Sequence, residues 1–218
     1  MVNEKVLAAI KSARDISTKR NFNQSFDIAI NFKNINTKKP EGKIRTEVKL
    51  PNPPAGIKIG IFADTSIPQV LKMGDKVILI SKDQLEGLAK NKKAAKTLAK
   101  QASGFLAEAP LMPQVAKALG PVLAVRGKMP RPVPPALLDL GPMVENAAAT
   151  VRIAVKDSPV VHMRVGTEDM KDEQIAANIE AVLKAVLAAL PKGKEQIKSA
   201  IIKLTMGKPV KMEATVWT

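Results

Sequence analysis

The chain has no cysteine and no tyrosine, one histidine and one tryptophan, and only 3% of its 218 residues are aromatic. Without cysteine there can be no disulfide, thiolate metal site or cysteine nucleophile. His162 is the single histidine, so neither a His–His metal site nor a Ser-His-Asp set with a spare base can be assembled, and no metal or cofactor is expected. Five Phe and one Trp leave little with which to stack a row of splayed bases, which argues against a generic single-strand platform. Long apolar runs are missing too. The longest, around residues 181–190, is interrupted by Lys184 and stops at Pro191, too short and too charged to span a bilayer. The start, Met1-Val2-Asn3-Glu4-Lys5, has no apolar stretch behind its charges, so a soluble cytoplasmic protein is expected. Neither G-x-x-x-x-G-K-[ST] nor G-x-G-x-x-G occurs. Carboxylates near the apolar runs, such as Asp64, form no acid/base pair, so an enzyme is not expected.

What the chain does have is positive charge: 35 Lys+Arg against 20 Asp+Glu, net +15. A surplus of this size suits a polyanion, because each phosphate neutralised releases condensed counterions. It is spread along the fold, with net +7 over residues 1–60, +6 over 61–155 and +2 over 156–218. Spread charge suggests a surface that lies along its ligand. Scarce aromatics then favour folded RNA or duplex, read through shape, phosphates and 2′-hydroxyls. Apolar residues at 45% suffice for real cores.

The two ends of the chain share one grammar. Val6, Leu7, Ile10 and Ala13 are spaced as on a helix over about 3–18, with Asn3 as N-cap. Strands follow at 25–32, where Phe26, Ile28, Ile30 and Phe32 alternate with polar residues, and at 43–50, separated by a basic loop at 33–42. After Thr150 come strands at 151–156 and 160–165, and a helix over about 171–190 capped by Thr167. Two more strands, 199–205 and 210–215, close the series. The middle differs. Apolar runs at 57–63 and 77–80, of the kind buried on both faces of a parallel sheet, alternate with helices at 67–73, 83–88 behind Ser81, 92–101, 113–119 and 143–149, and with a strand at 105–107. Lys92, Lys93, Lys96 and Lys100 mark a solvated helix face. The expected fold is a discontinuous α+β domain of residues 1–62 and 152–218, with an inserted three-layer, Rossmann-like α/β domain of residues 63–151.

Two strings stand out. Gly127-Lys128-Met129-Pro130-Arg131-Pro132 reads as a stiff loop holding Arg126, Lys128 and Arg131 outward, or as ordinary surface punctuation. Thr205-Met206-Gly207 puts a hydroxyl, a thioether and a glycine at a strand end, where Thr can bond phosphate or ribose and Gly admits another backbone. It also reads as a simple turn with a left-handed Gly. His162 and Arg164 share a strand face, which favours an anion-facing surface. Phe32 suits the core as well as a stacking role.

Together, Lys203-Leu204-Thr205-Met206-Gly207-Lys208-Pro209, Gly127-Lys128-Met129-Pro130 and Arg20-Asn21-Phe22-Asn23-Gln24-Ser25 resemble the family of universal large-subunit ribosomal protein one. The form Gly-Lys-Met-Pro-Arg-Pro looks archaeal. The resemblance spans essentially the whole chain. It implies a two-domain, monomeric protein of the mobile stalk beside the tRNA exit site. Its discontinuous domain would bind a helical junction of large-subunit ribosomal RNA and a mimic of that site on its own messenger, repressing translation. The stalk would assist release of deacylated tRNA. On this resemblance the RNA contacts fall on Gln24, Asn31, Phe32, His162, Arg164, Gly166, Ser199, Thr205, Met206 and Gly207. Many relatives have glutamate at the place of Gln24, and some have lysine at the place of Asn31. The residues alone leave open a nucleotide- or small-ligand-binding enzyme using the α/β insert, and a duplex-DNA architectural protein.

Overall fold

The structure is a computed structural model, and it describes residues 4–35, 44–64, 67, 70, 74–134, 140–155 and 158–212. In chain order the elements are α1 (Glu4–Ile16), β1 (Ser25–Phe32), β2 (Arg45–Lys49), β3 (Ile59–Phe62) and β4 (Val77–Ile80). Helices α2 (Lys82–Lys90) and α3 (Lys92–Gln101) lead to β5 (Gly104–Glu108), α4 (Met112–Leu123), β6 (Arg131–Val133) and α5 (Gly141–Ala149). Then come β7 (Thr150–Ala154), β8 (Val160–Thr167), α6 (Asp172–Ala189), β9 (Ile197–Leu204) and β10 (Val210–Met212). The expected Asn3 cap, most of the 33–42 loop and of the 67–73 helix, and the end of the last strand lie outside the described residues.

The chain divides into two compact units, Met1–Ala55 with Ala149–Thr218, and Gly56–Ala148. The sequence placed the boundaries at 62/63 and 151/152. Strand pairing moves both. Strand β3 pairs in parallel with β4 and β5, so it belongs to the middle unit, while β7 pairs antiparallel with β2 from Thr150 onward.

In the end-built unit, four antiparallel strands run in the order β10-β9-β1-β8, and β2-β7 form a separate ribbon. Phe26, Ile28 and Ile30 of β1, Val161, Met163 and Val165 of β8, and Ala200, Ile202 and Leu204 of β9 all point inward. They meet α1 through Val6 and Ile10, and α6 through Ile175, Ile179, Val182 and Val186, in one apolar core. The period-2 and period-3.6 patterns thus put both helices on one face of the sheet. Asn178 brings a polar side chain into that core. Asn178 of α6 is fully buried, donates to Asn52 O (2.6 Å) and Val165 O (2.8 Å), and accepts from Asn52 N (2.9 Å). It pins the Pro51–Pro54 exit of the chain with every amide partner supplied. Thr167 is not the cap of α6. It ends β8, and Lys171 takes the N-cap place, its N–H bonded to Gln174 Oε1 at 3.3 Å.

The middle unit has a parallel sheet in the order β4-β3-β5-β6. Phe62, Ile80, Phe105 and Ala107 face α2, α3 and α4, while Ile59, Ile61, Leu106 and Val133 pack with Val144 of α5 on the other side. That is the three-layer α/β architecture. Ser81 caps α2 as a capping box with Gln84, and Asn91 Oδ1 caps α3 by accepting from Lys93 N and Ala94 N.

Candidate nucleic-acid interface

The residues of the four-stranded sheet that alternate with its core form the opposite face. In register across it lie Arg164, Asp27 and Lys203; then His162, Ala29, Ile201 and Lys211; then Asn31 with Ser199. His162, Arg164 and Lys211 are exposed, and the others named are half-buried. Asn31 Nδ2 donates to Ser199 Oγ at 2.9 Å, which fixes both polar groups across two strands. From Asp27 to Asn31 the face extends about 13 Å at some 3.3 Å per residue. The face also carries a charge relation the motifs did not reveal. Asp27 sits between Arg164 and Lys203. Burial pushes its carboxyl above the ordinary value, against the opposing pull of Lys203, Arg164 and His162.

At the Asp27 end, the β9–β10 turn closes over the chain entering β1. Thr205 N donates to Ser25 O at 3.1 Å, while Thr205 Oγ1 accepts from Ser25 N (3.0 Å) and donates to Ser25 O (3.3 Å). Gln24 is fully buried. Its Nε2 donates to Thr18 O at 3.3 Å, and its Oε1 accepts from Met206 N at 3.2 Å. An amide is suited to this double duty, since an ionised carboxylate has no proton to give Thr18. Met206 projects outward with 59% of its surface exposed.

These positions revise several expectations. Gln24 faces inward and holds the turn from behind. Phe32 packs in the core at 4% exposure, so its ring is not part of the open face. Gly207 does not take a left-handed backbone; a Cβ there would meet Ser17 Oγ at 3.1 Å and Leu204 Cβ at 3.2 Å, so the close approach it permits is to the end of α1. Gly166 likewise is buried, where a Cβ would meet Ile175 Cγ1 at 3.0 Å. Asn31, His162, Arg164, Ser199, Thr205 and Met206 remain on one surface.

The basic string of the middle unit also departs from its reading as an outward loop. Lys128 Nζ donates to Ala99 O (2.9 Å) and Ala102 O (2.7 Å), and Arg126 donates to Lys96 O (2.9 Å). Lys128 therefore holds the C-terminal end of α3, where carbonyls lack helical partners and the macrodipole is negative, and Arg126 bonds a carbonyl one turn earlier. Burial, then Arg126, lowers the Lys128 ammonium below its ordinary value. Arg131 belongs to edge strand β6, a strand the proline-rich sequence concealed. Lys92, Lys93, Lys96 and Lys100 are exposed, as the helical spacing indicates.

Sequence reasoning also missed Arg14. It donates to Asp172 Oδ1 (2.7 Å), Glu168 O (2.8 Å) and Met170 O (2.7 Å), and its guanidinium lies 5.1 Å from the Phe26 ring centroid. This fork holds the β8–α6 loop beside Gln24.

The profile of the ribosomal protein L1p/L10e family matches residues 10–208. The chain belongs to this family. It is 43% identical over 212 residues to the large ribosomal subunit protein uL1 of Methanothermobacter thermautotrophicus, covering 97% of this chain and 100% of that one. Likeness to the uL1 proteins of Pyrococcus horikoshii (44%, 96% of each chain) and Methanothermococcus thermolithotrophicus (45%, 98% and 100%) is of the same order. The three relatives are archaeal, in keeping with the archaeal form of Gly127-Lys128-Met129-Pro130-Arg131-Pro132. Family membership makes the chain a ribosomal protein of the cytoplasm and points to a structural role. Among the described residues, no helix is long and apolar enough to cross a membrane.

Proposed function

We propose that the chain is a constituent of the large ribosomal subunit that binds large-subunit ribosomal RNA through the open sheet face of its end-built unit. The uL1 relatives bear the name of such a constituent. The observation that carries the reading is the face itself: one side of a four-stranded sheet that the described helices of its unit leave open, in a chain of net +15. It presents Arg164, Lys203 and Lys211 with the fixed Asn31–Ser199 pair, and ends in a turn clasped by Thr205 and Gln24. Such a surface recognises shape. Its groups are held by strand pairing before the ligand arrives, so little ordering entropy is lost on binding, and scattered cations supply affinity and rapid encounter. The same face would take a mimic of the ribosomal site on the protein's own messenger and so repress its translation. On the ribosome the protein would stand in the stalk beside the exit site, assisting release of deacylated tRNA. Off it, the protein would be a monomer.

Filter binding of structured large-subunit RNA, its DNA counterpart and free nucleotides tests this reading. RNA should bind tightest, with log affinity falling against log salt at about −0.7 to −0.9 per phosphate contacted. Equal binding to the DNA version, or a slope near zero, would overturn it. The messenger transcript should compete with the ribosomal RNA for one site.

A further inference from the structure

Beside the clasped turn, the chain between α1 and β1 and the β8–α6 loop enclose a shallow, open depression of about 380 Å³, lined by Lys19, Arg20, Phe22, Asn23, Glu168 and Asp169. That volume lies near the lower end of the range for small-ligand sites, about 300–1,000 Å³. Four of the five phenylalanines, Phe26, Phe32, Phe62 and Phe105, are buried; Phe22 is 52% exposed. A ring left half in water in so aromatic-poor a chain offers a π-face to a ligand. Around it the charges are of both signs. Two carboxylates beside two cations do not make a phosphate site, since Glu168 and Asp169 repel a bare phosphate. They do suit a neutral base whose own backbone phosphates reach Lys19 and Arg20.

We propose that this depression is a subsite for one unpaired guanine of the RNA, stacked on Phe22 and bonded through its N1–H and N2–H to the carboxylate of Asp169. Ionised carboxylates only accept hydrogen bonds. Guanine alone offers two adjacent donors on its Watson–Crick edge, whereas adenine and cytosine pair one donor with an acceptor and uracil sets one donor between two acceptors. Single-stranded bases are recognised in this manner, by stacking on an aromatic ring with hydrogen bonds to that edge. The carboxylate is preorganised. Asn23 Nδ2 donates to Asp169 Oδ2, and Arg14 grips the carbonyls on either side, Glu168 O and Met170 O. Glu168 N in turn donates to Gln24 O at 2.9 Å, and Gln24 holds Met206, so the subsite is tied to the turn that borders the open face.

The inference rests on the RNA-binding reading above, and kethoxal, which adds to N1 and N2 of accessible guanine, separates the two. Full-length protein is bound at saturation to large-subunit ribosomal RNA, as wild type and as Phe22→Ala, Phe22→Trp and Asp169→Asn. Asparagine keeps an oxygen for Asn23, and both positions are exposed, so all variants should melt like the wild type. Wild type and Phe22→Trp should protect an unpaired guanine that regains reactivity with Phe22→Ala and Asp169→Asn, while the remaining footprint persists. Affinity of those two should fall roughly ten- to a hundredfold, the range for losing one stacked base. A wild-type footprint in which no guanine protection depends on Phe22 or Asp169 overturns the subsite and leaves the RNA reading standing. With no footprint at all, both fall.

Discussion

Thr205 has one hydroxyl and two uses for it. Its oxygen already accepts from Ser25 N and its proton goes to Ser25 O, so one lone pair is left to accept from an RNA donor. Thr205→Ala should therefore lower both stability and RNA affinity, each by about 1 kcal/mol or somewhat more, and Thr205→Ser should restore most of both. Met206 is exposed and anchored only through its backbone, so Met206→Ala should melt with the wild type and weaken RNA alone, again by about 1 kcal/mol. Calorimetry beside RNA titration checks the pair; unchanged affinity in Met206→Ala would leave the turn a purely structural device. Asp27 acts in the opposite direction. Its carboxyl is raised above the ordinary value by burial, so the folded state holds that proton more tightly than the unfolded one. The stabilisation is full below the unfolded value, near 3.8, and is lost as pH rises through the raised folded value. Asp27→Asn should thus be more stable than wild type at neutral pH, with the gap closing toward pH 4 in melts across that range. It should also bind RNA more tightly, because a negative charge leaves the face.

At the scale of elements, the end of α3 offers a separate check. Lys128 donates to two terminal carbonyls there, so Lys128→Met should destabilise the protein by about 1.5–3 kcal/mol, the range for hydrogen bonds to a charged group. RNA affinity should not change. A loss of affinity without a change in melting would return Lys128 to the outward role first read from its loop. Strands with strict alternation were legible residue by residue: β1 spans Ser25–Phe32 as its pattern indicates. Strand β6 was not, because Pro132 argues against a strand until one knows that it lies at a sheet edge, where a missing N–H leaves no ladder broken. Helix α4 runs past Pro121, which lies on its exposed side near the end. At the site, period 2 places His162 beside Arg164 and could equally have placed Asp27 and Lys203. It could not reveal that Gln24, Gly166 and Gly207 look inward, since Met206 and Ser17 reach Gln24 and Gly207 from distant stretches of chain and Ile175 reaches Gly166 from the next helix.

For the molecule as a whole, the proposed RNA recognition falls to a unit built from both ends of the chain, with its own core and its own sheet. The strand pairing of β2 with β7 sets where the middle unit can be removed, between Ala55 and Ala149. The most direct measurement joins residues 1–55 to 149–218 through a short flexible linker and titrates this protein with large-subunit ribosomal RNA beside the full chain. The fragment should melt cooperatively, bind that RNA within about tenfold (~1.4 kcal/mol) of the full chain, and lose the binding on Arg164→Ala combined with Lys203→Ala. A folded fragment that does not bind, with the RNA held by residues 56–148 instead, would contradict the account.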